Sequence, residues 1–411
     1  MTQASRRLAS VDAFRALTMF LMIFVNDLWS LSNVPEWLDH AGRTEDRLGL
    51  ADTVFPAFLF IVGLSIPFAI RARAAKGYSE RSTLVHILTR SFALLVMGVY
   101  HVNLENYNKA EALLPKGWWE IMITIGFFLV WLTPQPPPPG PLKGERSGSL
   151  MAARRNTILR GSGILLLAIM ALLYKGGAPG HSVWMRTSWY GILGLIGWSY
   201  LLCALIYLFA KDKLALLCGA LIFFLGLCIA DKAGWLEFLD PVRSYVWIVS
   251  SGALPALVMA GIITSVLFRQ GMEKGKGGQS LWLLAGLALV TLGVGFALRP
   301  LGGIAKIGAT PSWVLICTAI SLGCFILLAF FMDIKGKQNW FRLIRPAGTS
   351  TLTCYLLPYI HYGLFNFPGT SNRLPLVLRT GALGIGKSLI YALVIILITG
   401  VLEKRKIRLS V

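Results

Sequence analysis

His40 sits in a short polar loop with Asp39, Arg43, Glu45, Asp46 and Arg47 close by in sequence. A neutral imidazole near pH 7 can take a proton from an attacking nucleophile, or become the nucleophile itself. A long apolar segment before the loop holds Asp12, Arg15, Asn26 and Asp27. After the loop, Asp52 opens the apolar segment ADTVFPAFLFIVGLSI. Ionisable groups in or beside a membrane span are costly, so they usually mark a pathway or a reaction site. His101, His181 and His361 have no comparable surroundings, and His86 reads as interfacial.

These residues must be positioned by membrane helices. The chain has 411 residues, 55% hydrophobic and only 14% charged, with mean hydropathy +0.66. Apolar runs long enough to cross a bilayer as helices recur along its whole length. The runs are continuous rather than alternating, which argues against a β-barrel. The fold expected is an all-α polytopic membrane protein of about 12 transmembrane helices. We place them near 13–32, 50–70, 84–103, 117–133, 157–174, 187–210, 213–231, 245–268, 280–299, 311–333, 346–367 and 382–402, within about four residues. All of 1–411 reads as one transmembrane domain, interrupted by a Pro/Gly-rich cytoplasmic linker over 134–156 that contains PQPPPPGPLKGERSGS.

The net charge of +20 reflects topology rather than a nucleic-acid partner. Even-numbered loops plus both termini carry about 24 Lys and Arg, and odd-numbered loops about 12, so by the positive-inside rule both termini are cytoplasmic. Arg6 and Arg7 anchor one end; Lys404, Arg405, Lys406 and Arg408 anchor the other. The His40 loop then faces outward. The location expected is the inner (plasma) membrane, multi-pass, with the lipid bilayer as surroundings. The first span is too long for a cleavable signal and lacks a small-residue cleavage site after it. All six cysteines fall inside expected spans, with no disulfide framework and no CxxC pair for a metal. No metal is expected.

Asp12, Arg15, Met19, Met22 and Asn26 follow one another at spacings of three or four and so line one helix face. From Asp12 to Asn26 the rise is about 21 Å, most of a bilayer core. Two plainer readings stand beside a functional stripe. Asp12 and Arg15 can pair at the interface as an anchor, and Asn26 can hydrogen-bond between helices. GALGIGKS, residues 381–388, has P-loop spacing but opens an apolar membrane helix, so it reads as coincidence.

SVDAFRALTMFLMIFVND, WLDH and GLADTVFPAFLFIVGLSI resemble the opening of the heparan-α-glucosaminide N-acetyltransferase family, with the chain as a bacterial member. Downstream, LPALVMAGIITSVLF, GGIAKIGATPSWVL, and MDIKG followed by PAGTSTLTCYLL resemble later family segments. The resemblance implies transfer of an acetyl group from cytoplasmic acetyl-CoA to an amino sugar beyond the membrane. It implies His40 and Asn26 as the catalytic pair and Asp52 as a sugar contact. Departures bear on acceptor and donor identity. Ala16 replaces a glycine, and Thr349 and Ser350 replace an asparagine. SWYGILGLIGWSYLL stands where the family has Leu-Gln-Arg-Ile-Ala, and 117–133 with 157–174 look like an added hairpin.

On this reading the small-molecule partners are acetyl-CoA, as co-substrate, and an amino sugar or glycan held by Asp52 and Asp27. The acetyl-CoA phosphates meet Arg15, Arg71, Arg342 and Arg345 near span ends, with Asp12 beside Arg15. The pantetheine arm threads between spans along the Asp12–Asn26 stripe. A homodimer is compatible with the sequence. Two other functions share these features: a secondary transporter or permease for a small polar solute, and an O-acyltransferase of envelope glycans. The transporter predicts a helix broken at mid-membrane, for which Pro358 and the glycines near 191–197 leave room.

Overall fold

The computed structural model describes residues 8–42, 45–133, 145–243, 251–365 and 375–409, with only the backbone described for 145–153. Arg6, Arg7, Arg43 and the 134–144 part of the linker fall outside the described residues. The remainder of that linker belongs to a helix beginning at Glu145.

Helices α1 (Ala9–Asp27), α2 (Leu50–Ala75) and α3 (Glu80–Val102) come first. α4 (Lys116–Trp131) and α5 (Glu145–Leu173) form the hairpin that looked added. α6 (Gly191–Ala210), α7 (Leu214–Lys232), α8 (Ala253–Glu273), α9 (Gly277–Ala297) and α10 (Pro311–Ala329) follow. The chain closes with α11 (Arg345–Thr349), α12 (Thr351–Phe365) and α13 (Gly381–Lys404). Among the described residues there is no β-strand, only isolated bridges. Ten helical segments are long and apolar enough to cross a membrane.

Each of the twelve expected spans overlaps a helix. Two are modest: α4 has 16 residues, and the eleventh span is broken at Ser350, leaving α11 with 5 residues and α12 with 15. α8 is the most enclosed span, with 89% of its apolar window buried against 17% for α5 and for α7. Exposed Trp282, Leu289 and Ile222 on the outer helices form the lipid-facing surface that a bilayer would cover.

α1 and α2 pack against each other and run in opposite directions, because one loop joins them. The Asn26 end of α1 therefore neighbours the Asp52 end of α2, and its Asp12 end neighbours Lys76. Both described chain ends meet at this second face. Leu8 and Leu409 line the same cavity, and the Leu409 N–H donates to Thr353 Oγ1 at 2.9 Å.

Candidate active site

Asp52 lies in the first turn of α2, where the helix dipole favours a carboxylate. It is 1% exposed and every polar edge is engaged. Its Oδ2 accepts the N–H groups of Ala41 (2.8 Å) and Gly49 (3.2 Å), and its Oδ1 meets His40 Nδ1 at 2.7 Å. Gly49 is needed here, since a Cβ would lie 1.8 Å from the Asp39 carbonyl oxygen. The His40 side chain is 44% exposed. With Nδ1 committed to a carboxylate, Nε2 is the nitrogen left to take a proton; this tautomer follows from the hydrogen bond.

The loop is folded around this pair. Leu50 and Ala51 donate to the carbonyls of Trp37 (2.7 Å) and Leu38 (3.2 Å). Arg47 clasps the loop by donating to the carbonyls of Glu36 (2.6 Å) and His40 (3.0 Å), with its Nε on Glu45 at 2.6 Å.

A third charged group reaches the site from far along the chain. Lys306 Nζ lies 3.2 Å from His40 Nδ1 and 3.9 Å from Asp52 Oδ1. Burial pushes the Lys306 ammonium below the ordinary lysine range, and the nearby Asp52 charge opposes that shift. Its loop is tied down twice. Asp46 accepts from Ile304 N–H (2.7 Å) and Arg299 Nε (2.8 Å), while Thr310, the N-cap of α10, accepts from Ala305 N–H (3.1 Å). From the same helix Trp313 Nε1 donates to the Asp52 carbonyl at 3.2 Å. Sequence reading missed Lys306 as a site residue. Its only signal was its position in GGIAKIGATPSWVL, one of the segments that carry the resemblance.

Asn26 lines a cavity of about 250 Å³ with Trp29, Pro358, Tyr359 and Tyr362. His40 is not among the residues lining that cavity. Asp27 points elsewhere. It is 3% exposed and accepts from Lys387 Nζ (2.5 Å), Ser388 Oγ (2.7 Å) and Tyr362 Oη (3.3 Å). The last two residues of the P-loop look-alike are thus engaged by a carboxylate, which fixes α13 to α1. The same bonds occupy the Asp27 carboxylate that the sequence offered for substrate.

At the other end of α1 a cavity of about 710 Å³ opens. Asp12, Arg15, Met19 and Met22 all line it, so the stripe read from spacing does face one space. Arg15 donates to Ser65 Oγ (2.5 Å), the Gly348 carbonyl (3.2 Å) and Asp12 (3.3 Å). A Cβ on Gly348 would lie 2.6 Å from the Asp12 carbonyl, so only glycine permits this crossing. Ala16, fully buried, packs at the same crossing.

Basic residues gather around this cavity, but not all those expected. Lys76, Arg90 and Arg408 line it with Arg15. The Arg90 guanidinium lies 5.0 Å over the Tyr200 ring, and its Nε is buried with no hydrogen-bond partner among the described residues. Arg71 instead pairs with Asp212 (2.9 Å) and Glu273 (3.7 Å), in a network that includes Arg269. Arg342 and Arg345 are exposed and do not line the cavity. Among the described residues no group of three or more His, Cys, Asp or Glu side chains is placed to hold a metal ion.

Residues 7–107 match the family model for heparan-alpha-glucosaminide N-acetyltransferase, catalytic. The mouse heparan-alpha-glucosaminide N-acetyltransferase is 36% identical over 124 residues, 29% of this chain and 17% of that protein. The human protein is 36% identical over 121 residues, 28% of this chain and 16% of its own length. The chain thus matches only about one sixth of the length of these curated relatives. The match covers α1, the His40 loop, α2 and α3. The N-terminal quarter of the chain, which carries Asn26, His40 and Asp52, is therefore related to the catalytic region of the heparan-alpha-glucosaminide N-acetyltransferases.

Proposed function

We propose that the protein is a transmembrane acyltransferase that moves an acetyl group from acetyl-CoA to an amine of an amino sugar or related glycan on the opposite face. The single observation that carries this is the buried Asp52 holding His40 at 2.7 Å, within the stretch related to the acetyltransferase catalytic region. The charge asymmetry of the loops supports a cytoplasmic face that bears the termini and the large cavity.

The large cavity suits the donor. Its volume falls in the range of small-molecule sites. Arg15, Lys76, Arg90 and Arg408 would receive the phosphates, and the apolar faces of α1 and α2 would sheathe the pantetheine arm. At the other end the acceptor ammonium gives one proton to His40 Nε2. The amine then attacks the thioester carbonyl; the C–N bond forms, the C–S bond breaks, and the second nitrogen proton goes to the CoA thiolate. Asn26 donates its amide N–H to the carbonyl oxygen as negative charge develops there. Asp52 orients His40 and balances its charge, and Lys306 balances Asp52.

The test is release of CoA thiol from acetyl-CoA by the purified protein in liposomes when glucosamine is supplied. The expected result is acceptor-dependent release that His40→Ala lowers by about 10²- to 10⁴-fold. Unchanged release in His40→Ala sinks the scheme. An acceptor panel read by mass spectrometry separates amine from hydroxyl acceptors, and so N-acetylation from O-acetylation. One observation favours the transporter reading. The break between α11 and α12 at Ser350 lies beside the large cavity, which Gly348, Thr349 and Thr351 line. Solute uptake with no thiol release would establish that reading instead.

A further inference from the structure

Tyr355 lines both cavities. On α1 the lining passes from Met22 in the large cavity to Ile23 in the small one. On α6 it passes from Leu193 to Ile192. The two spaces therefore adjoin on three helices, and the Tyr355 side chain stands where they meet. It is 6% exposed.

Its position is held by contacts that can give way. The Tyr355 and Tyr359 hydroxyls are 3.2 Å apart. Tyr359 lies flat on His101, with ring centroids 4.0 Å apart and planes 7° from parallel. Both ring nitrogens of His101 are buried without hydrogen-bond partners among the described residues, so ring contact alone holds this stack. Pro358, inside α12, has no N–H to give the carbonyl four residues back. That carbonyl belongs to Cys354, next to Tyr355, so the helix is least restrained at this point.

We propose that Tyr355 is the gate between the large cavity and the Asn26 cavity. Closed against Tyr359, it separates them; rotated aside, it opens one continuous passage along α1. What passes is the acetyl-bearing arm of the donor, and this part rests on the acyltransferase reading. Tyr355 is a positioning residue, since the chemistry falls to His40 and Asn26.

Cysteine modification tests the gate without any acetyl donor. Full-length Ile23→Cys protein in liposomes is treated, from the face bearing the termini, with a membrane-impermeant methanethiosulfonate. Modification at position 23 is read by mass spectrometry. Adding Tyr355→Ala is expected to speed modification at least about tenfold. Tyr355→Phe keeps the ring and loses the bond to Tyr359, and is expected to speed it about two- to threefold. Met19→Cys, in the large cavity, reacts at one rate in all three backgrounds. No increase at position 23 in either variant overturns the proposal, as does a Met19→Cys that the reagent cannot reach. Parent protein that modifies as expected but transfers no acetyl group would leave the gate standing and sink the acyltransferase reading.

Discussion

The two ends of α1 are built in opposite ways. At the Asp12 end, helix faces surround open space, and the buried Arg90 Nε has no hydrogen-bond partner among the described residues. At the far end, Asp52, His40 and Lys306 lie within 3.9 Å of one another, and every Asp52 oxygen is engaged. An end that admits a large anion needs room and spare donors. An end that moves a proton needs its few groups held in one orientation, with their charges balanced. The contrast accords with a donor entering at one end and reacting at the other.

Removing the orienting carboxylate strikes the engaged end hardest. Asp52→Asn is expected to lower acetyl transfer about 10²-fold, since the amide cannot serve two backbone N–H groups and the imidazole as a carboxylate does. Steady-state thiol release measures it, and near-parental turnover would break the comparison at its stronger end.

At the open end the expected loss is one of affinity. Arg90→Gln should raise KM for acetyl-CoA about tenfold and leave kcat alone, the mark of lost ground-state binding. Arg345→Gln, on an exposed residue outside the cavity, should move neither parameter more than about twofold. If the two variants behave alike, the cavity is not where the donor's charge is held.

The smallest expected effect concerns the tether of the Lys306 loop. The Ile304 N–H, and then Arg299, hold the Asp46 carboxyl below the usual carboxylate range. A depressed carboxyl contributes stability above its free-chain value and loses it as pH falls through the folded one. Docking is thus complete at neutral pH and fails only in acid, below about pH 4. Hydrogen exchange at the Ile304 amide should be slow at pH 7 and in Asp46→Ala, which removes the acceptor, as fast as in an open loop. Equal protection in the variant would show that Thr310 alone holds the loop.

Much of this was legible without coordinates because apolar length and helical spacing are local properties. The Asp12–Met22 part of the stripe does line one cavity, and GALGIGKS opens α13, a helix long and apolar enough to cross a membrane. Lys306 was not legible, because 266 positions separate it from His40 and a single lysine in a Gly-rich loop has no period to betray it. Arg71 and Asp27 looked functional for a related reason. A charge in or beside an apolar segment announces itself in sequence, but its partner does not. Arg71 found Asp212 and Glu273, and Asp27 found Lys387 and Ser388.

The sequence by itself determined the helical membrane architecture, the face that α1 presents, and the residue types available beside the His40 loop. Those follow from desolvation and from the 3.6-residue repeat, which act over a few turns. Only the tertiary structure decided which charges are balanced, which guanidinium lines the large cavity, and that Tyr355 lines both cavities. Such facts depend on distances between helices far apart in the chain, and packing of the whole bundle sets those distances.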